Sequence, residues 1–349
     1  MMRLKKDIFA VCDTEVSYVL RLMEFIQQKQ GAIFEVQAFT NVKSLCEFAE
    51  KQKISLLLIS ARAMCQEVRA LPVGRIMILS EGEMRKELEE YPCIYKYQAS
   101  DSLVSEVMGY YAVENQTVPQ ALFKKDRRCM AVYSPVRRAL KTSFALTLGQ
   151  LLSRDRHVLY LNLESFSGFF PSMKQESDTD IADLMYFVKR GVGNVAYRLQ
   201  GMVRSLGNLD YIPPAVSPMD IRSVTGAEWM TLLGEIETYS IYDTVILDFD
   251  EMVDGFLDIL RHCDTIYMPV REDSLSVAKL RQYESFLKLC GYGDLMEKTR
   301  KLKLPFHSSF GSGEHYIEQL IWGELGDFTR NLIREEGADG ENRRTHSCT

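Results

Sequence analysis

The chain has 349 residues, 46% of them hydrophobic and 26% charged, with a formal net charge of -6 at neutral pH. That length accommodates two ordinary domains, and the mild acidity gives no basis for a nucleic-acid partner. No apolar run approaches the roughly 20 residues a spanning helix needs, and the short apolar stretch ending at Cys12 lacks the length and cleavage site of a secretory leader, so a cytoplasmic protein without direct membrane insertion is expected.

In chain order, an apolar strand is predicted over 8–11 and a helix over 15–28, with Val19, Leu20, Met23 and Ile26 on one face. A strand over 34–39 and a helix over 42–52 follow. Ser55-Leu56-Leu57-Leu58-Ile59 reads as a strand buried on both faces. Strands over 75–79 and 93–95 and a helix over 102–111 complete a unit in which strand and helix alternate. That pattern predicts an α/β, flavodoxin-like parallel sheet covered on both sides. Residues 114–128, with Pro119 and the run Lys124-Lys125-Asp126-Arg127-Arg128, read as a linker with a solvated basic stretch.

A second α/β pattern follows, with strands predicted over 130–133, 158–163, 209–212, 244–248, 265–270 and 302–305. Helices are predicted over 141–153, 180–189, 227–239, 255–262, 276–290 and 314–333. From 335 the polar, glycine-containing tail is expected to be disordered. The layout is therefore a first domain over 1–113, a linker over 114–128, a larger domain over 129–334 with a mostly parallel sheet, and a tail over 335–349. The eight cysteines form no CxxC pair and the five histidines show no metal spacing. The cysteines are expected to be buried free thiols of a reducing compartment.

The richest segment is Ala131-Val132-Tyr133-Ser134-Pro135-Val136-Arg137-Arg138-Ala139-Leu140-Lys141-Thr142-Ser143. It joins an apolar strand to a helix, as a phosphate-binding loop does, and keeps the terminal Lys-Thr pair. A working loop needs glycines so that its amides approach the phosphates closely and the chain can take positive φ. A β-carbon at such a position costs roughly 1–2 kcal/mol, and each lost charge-assisted contact about 1.5–3 kcal/mol. Together these predict an affinity loss on the order of a thousandfold. Arg137 and Arg138 either replace the amides as bidentate phosphate ligands or are ordinary loop arginines.

Ser134-Pro135 followed by Lys141-Thr142-Ser143 resembles the opening of the MinD/ParA-type deviant Walker ATPases. It resembles most the pilus-assembly (TadZ/CpaE-like) branch, whose loop reads Ser-Pro-Lys-Gly-Gly-x-Gly-Lys-Thr. Here Val136, Arg137, Arg138 and Leu140 stand in place of Lys, Gly, Gly and Gly, so the signature lysine is absent. Tyr160-Leu161-Asn162-Leu163-Glu164 is similar to the family's second strand, with Asn162 in place of the first carboxylate. Tyr242-Asp243-Thr244-Val245-Ile246-Leu247-Asp248 is similar to its Walker B strand. Tyr211-Ile212-Pro213-Pro214 is similar to the loop after the middle strand, and Leu302-Lys303-Leu304-Pro305-Phe306 to the late strand near the base.

The resemblance implies a P-loop NTPase-like fold and a nucleotide site of Arg137, Arg138, Lys141, Thr142, Ser143, Pro213 and Pro214. Thr142 and Asp248 would hold magnesium, and Glu164 would handle water. ATP and magnesium are the implied cofactors, with the loss of both as the alternative that the damaged loop supports.

The branch also implies a receiver-like domain in front. Asp13, Ser80 and Lys96 match receiver positions, but Ser60 stands where the phosphorylated aspartate belongs. A hydroxyl there, without a neighbouring base, is a poor nucleophile. An atypical receiver used for binding is expected, with Asp13 and Lys96 as structural ion partners. Ile317, Leu320, Ile321, Leu325 and Phe328 of the last helix form a stripe beside an acidic face, which suits packing on its own domain rather than a membrane surface. Met185, Tyr186 and Phe187 are expected in the core. Residues 180–190 are the implied homodimer face. The expected role is a dimeric localisation or scaffold factor for Tad/Flp-type pilus or secretion machinery, polar or membrane-associated through its partners. The rivals are a slow ATPase switch using Arg137 and Arg138, and a phosphorylation-responsive regulator.

Overall fold

Strand-forming apolar runs separated by amphipathic segments build two parallel sheets in the computed structural model. It describes residues 7–30, 34–82, 86–88, 90–98, 100–114, 127–168, 179–191, 195–306 and 314–346. Most of the expected linker, 115–126, lies outside the described residues. The chain divides into two compact units: 1–123 together with 191–202 and 238–241, and the remainder.

The first unit runs β1 (Asp7–Cys12), α1 (Val16–Gln30), β2 (Phe34–Phe39), α2 (Val42–Ala49), β3 (Leu56–Ser60), α3 (Gln66–Arg69), β4 (Arg75–Ser80), a 3₁₀ turn (Lys86–Leu88), β5 (Cys93–Tyr95) and α4 (Ser100–Glu114). Its sheet order is β2-β1-β3-β4-β5, with every pairing parallel, which is the flavodoxin-like order. Leu56, Leu57, Leu58 and Ile59 are fully buried, as a strand covered on both faces requires. Only one helical turn separates β3 from β4, and the described part of the β4–β5 connection holds only the 3₁₀ turn, so the expected alternation is abbreviated there. A further helix, α7 (Val195–Met202), belongs to this unit and packs on α4.

The second unit contains β6 (Arg128–Val132), α5 (Lys141–Leu152), β7 (Val158–Leu163), α6 (Ile181–Arg190), β8 (Arg204–Leu206), β9 (Leu209–Ile212), α8 (Pro218–Arg222), α9 (Gly226–Tyr239), β10 (Thr244–Phe249), α10 (Phe256–His262), β11 (Thr265–Pro269), α11 (Ser274–Leu289), α12 (Leu295–Lys298), β12 (Thr299–Leu302), α13 (Glu314–Trp322) and α14 (Glu324–His346). The last turn of α9 falls in 238–241, with the first unit. The strand order is β12-β11-β6-β10-β7-β9-β8. All pairs are parallel except the β8–β9 hairpin, whose turn uses Gly207 at φ 58°. Val132, Phe144, Tyr160 and Ile246 form the centre of the core.

Several expectations are corrected. The late strand lies at Thr299–Leu302, not 302–305, because β11 pairs it in register from Ile266↔Thr299 to Pro269↔Leu302. The single helix expected over 314–333 is two. The break falls at Gly323, and in the first turn of α14 Gly326 lies so close to the Ile321 carbonyl that a β-carbon would sit 1.8 Å from that oxygen. The segment after 335 is not disordered throughout, since α14 continues to His346. Glu336 anchors it, accepting from the Tyr267 hydroxyl at 2.7 Å and pairing with Arg300 at 3.1 Å. Residues 347–349 lie outside the described residues. Ile317, Leu320, Leu325 and Leu332 join the core, so the apolar stripe packs on its own domain. Tyr186 is exposed and stacks under Arg190 at 4.6 Å, while Met185 is buried. Cys290 is exposed, so the cysteines are not uniformly buried. No helix among the described residues is long and apolar enough to cross a membrane.

Candidate functional site

Parallel pairing of β6, β7 and β10 brings three strand ends together. The register sets Asp248 opposite both Val132 and Asn162. Residues 160 and 162 share one face of β7, since side chains alternate along a strand, and Glu164 follows just beyond its end.

The loop after β6 contains no glycine, yet two of its residues take positive φ. Arg138 and Leu140 stand at φ 59° and 61°, in the left-handed region. Each β-carbon there costs roughly 1–2 kcal/mol, so the surrounding packing imposes the conformation. Ser134 anchors the loop: its hydroxyl donates to the Pro269 carbonyl at 2.6 Å and accepts from the Val136 amide at 3.1 Å. Val136 and Ala139 are buried, whereas Arg137 and Arg138 are exposed. Arg137 lies 3.8 Å from Glu251, with 80% of its side chain accessible, so this contact contributes little.

Lys141, the first residue of α5, turns toward the strand ends. Its ammonium lies 2.7 Å from Glu164 Oε1 and 3.2 Å from Asp248 Oδ1, and donates to the Phe249 carbonyl at 2.5 Å. The Asp248 contact is an ion pair without hydrogen-bond alignment, because that oxygen has no hydrogen-bond donor. The other oxygen of Asp248 accepts from the Tyr160 hydroxyl at 3.0 Å, which in turn accepts from Asn162 Nδ2 at 2.9 Å. Asn162 Oδ1 accepts from the Glu164 amide at 3.0 Å, and the Thr142 hydroxyl donates to Glu164 Oε2 at 2.9 Å. The result is a closed network of lysine, two carboxylates, phenol, amide and hydroxyl.

Burial opposes the Lys141 charge, but Asp248 and Glu164 outweigh it and hold the ammonium above its usual pKa. Burial and the nearby Asp248 push Glu164 above the usual carboxylate range, against the pull of Lys141. Burial, reinforced by Asp248, raises Tyr160 well above an ordinary phenol.

The structure thus brings Lys141, Thr142, Glu164 and Asp248 into one cluster and leaves the other named residues apart. The Ser143 hydroxyl bonds to that of Tyr316 at 2.9 Å. Pro213 and Pro214 are buried after β9, where the Pro213 carbonyl accepts from the Ile181 amide at 2.9 Å. Sequence reasoning missed Tyr160, the Phe249 carbonyl and Tyr316. The alternation of residues 160, 162 and 164 was the available signal for the first.

In the first unit, Asp13 and Lys96 form a buried pair at 2.8 Å, and Glu15 and Glu81 approach the same ammonium at 3.1 and 3.5 Å. The Tyr18 ring lies 4.6 Å from it. Burial alone would lower the Lys96 pKa; Asp13 and Glu15 reverse that and raise it. Ser60 is buried and accepts from the Ala63 amide at 3.3 Å, and Ser80 accepts from the Gly82 amide at 3.2 Å.

No protein-family model matches the sequence, and no curated protein matches it significantly. Among solved structures, a plasmid partition protein from Borrelia burgdorferi bound to AMPPNP is 16% identical, over 59% of this chain and 100% of its own, at a TM-score of 0.42. A ParA family ATPase from Chlorobium tepidum is 21% identical, over 50% of this chain and 73% of its own, also at 0.42. A chain of the MinC:MinD cell division complex of Aquifex aeolicus is 14% identical, over 50% of this chain and 67% of its own, at 0.38.

Proposed function

We propose that this protein is a dimeric scaffold whose loop-and-carboxylate cluster fastens the sheet instead of turning over nucleotide. One observation carries the reading: the Lys141 ammonium is engaged by Glu164 at 2.7 Å, Asp248 at 3.2 Å and the Phe249 carbonyl at 2.5 Å. The residues do not fit a magnesium triphosphate in this arrangement. The lysine points at the carboxylates that would hold the ion, and the Thr142 hydroxyl is spent on Glu164. Arg138 and Leu140 carry β-carbons where amides would have to meet phosphate. Glu164, Thr142, Ser143, Asp248, Pro213 and Pro214 are then structural, and ATP and magnesium are not resident.

On this reading the first unit is a receiver-like binding module. Its Lys96–Asp13 pair is kept, but Ser60 replaces a phosphorylatable carboxylate. The ordered sequence motifs support service to Tad/Flp-type pilus or secretion machinery, with residues 180–190 as the homodimer face. Polar foci of a fluorescent fusion that disperse when the pilus motor is deleted would support that assignment; unchanged foci would remove it.

Binding of fluorescent ATP with magnesium to the full chain tests the site. No saturation below about millimolar is expected, and Arg138→Gly with Leu140→Gly should recover part of the roughly thousandfold loss. Micromolar binding abolished by Lys141→Ala overturns the scaffold reading. Phosphate release lost in Asp248→Ala establishes the slow ATPase instead.

A further inference from the structure

At the opposite end of β6 from the Lys141 cluster, three potential metal donors from distant parts of the chain converge, and a second cysteine lies against the first. Cys129, near the start of β6, lies next to Cys263, the residue just after α10, with the two sulfurs 3.4 Å apart. His262 is the last residue of α10, and its Nε2 meets Glu237 Oε1 of α9 at 2.6 Å. One ligand atom each from Cys129, Glu237 and His262 lies within 4.8 Å of the others. The parallel β6–β11 register, Met130↔Thr265, fixes this meeting. It is reinforced by the Cys129 amide donating to Asp264 Oδ2 and the Asp264 amide donating to the Cys129 carbonyl, both at 2.8 Å.

We infer that Cys129, Cys263, His262 and Glu237 form a structural zinc site. Two thiolates, an imidazole and a carboxylate suit a borderline-soft ion of four-coordinate tetrahedral preference. Bonds of about 2.0–2.3 Å place tetrahedral donors about 3.3–3.8 Å apart. The sulfur pair already meets that separation. The Cys129, Glu237 and His262 donors lie within 4.8 Å of one another and must turn onto the ion, the 2.6 Å His262–Glu237 contact lengthening as they do. The sulfurs are far beyond the roughly 2.05 Å of a disulfide.

The thiols are buried, at 3% and 0% exposure. The imidazole and carboxylate are 27% and 30% accessible, which gives the ion a route in. Binding releases the two thiol protons to solvent. The bound set would then carry one net negative charge: two thiolates and a carboxylate against Zn²⁺. Lys298 stands beside it, donating to the Arg261 and Cys263 carbonyls at 2.6 and 3.1 Å. Such an ion would tie the start of β6 to the ends of α9 and α10. This inference does not depend on the reading of the loop.

The test uses reduced, chelator-treated full-length protein titrated with Co²⁺ and then Zn²⁺. Expected are one equivalent bound, a near-ultraviolet thiolate-to-cobalt band with the visible bands of a tetrahedral site, and displacement by Zn²⁺. Cys129→Ser should remove about half of the charge-transfer band, since one of the two thiolates remains. His262→Ala, at a half-exposed position, should weaken binding at least about tenfold while keeping the native circular dichroism. Cys290→Ser, at an exposed thiol, should change neither readout. Absence of saturable binding, or binding that survives Cys129→Ser with Cys263→Ser, overturns the site. So does a Cys129–Cys263 disulfide in the isolated protein with no metal uptake after reduction.

Discussion

Lys141 holds its ammonium between two carboxylates, of which Asp248 is wholly buried and Glu164 is 22% accessible, so removing the lysine strands both. Lys141→Ala should cost about 3 kcal/mol in urea unfolding, and adding Asp248→Asn should return part of it, because the isolated buried charge is the expensive element. The acidity of Glu164 gives a second test at this scale. Its folded pKa is raised, so between its unfolded value, about 4.5, and the folded value the native state binds more protons than the unfolded state. Stability should therefore fall as pH rises through that window, and Glu164→Gln should flatten the slope in pH-dependent melting.

The sequence made Lys141, Thr142, Glu164 and Asp248 legible, because each stands at a strand or helix end in the right order. It did not show that the lysine faces the carboxylates rather than the loop. That depends on where α5 begins relative to β7 and β10, which only the packed sheet sets. The thiol pair was illegible for a similar reason: Cys129 and Cys263 lie 134 residues apart and share no local spacing.

At the scale of elements, long apolar runs were the most legible. β7, buried along its whole length, falls where its pattern places it, since a run of buried side chains leaves little freedom of register. Short or one-sided elements were not: β8 has three residues, and β12 takes its position from pairing with β11 rather than from its own alternation. The α13–α14 corner was hidden because the apolar stripe continues across it. The bend falls at Gly323, and Gly326 in the next turn allows the close return, since an added β-carbon would sit 1.8 Å from the Ile321 carbonyl oxygen. Gly326→Ala should therefore lower the unfolding free energy by about 3 kcal/mol, read by denaturant titration, because the backbone itself must move.

Across the whole molecule, the first compact unit draws on residues far along the chain, 191–202 and 238–241. Leu199 of α7 is fully buried in that unit. Leu199→Ala should cost about 2–5 kcal/mol, and hydrogen exchange should rise in α4, on which α7 packs, more than in α5. Unchanged protection of α4 would show that α7 does not support it.

By itself the sequence determined two largely parallel α/β sheets and a strand–loop–helix segment that keeps Lys141-Thr142 without glycines, because hydrophobic period and residue type act locally. Tertiary structure alone decided that Arg138 and Leu140 keep left-handed backbone, that Lys141 closes on Glu164 and Asp248, and that Cys129 meets Cys263. Those outcomes depend on strand register and helix placement, which join residues that no window of sequence contains.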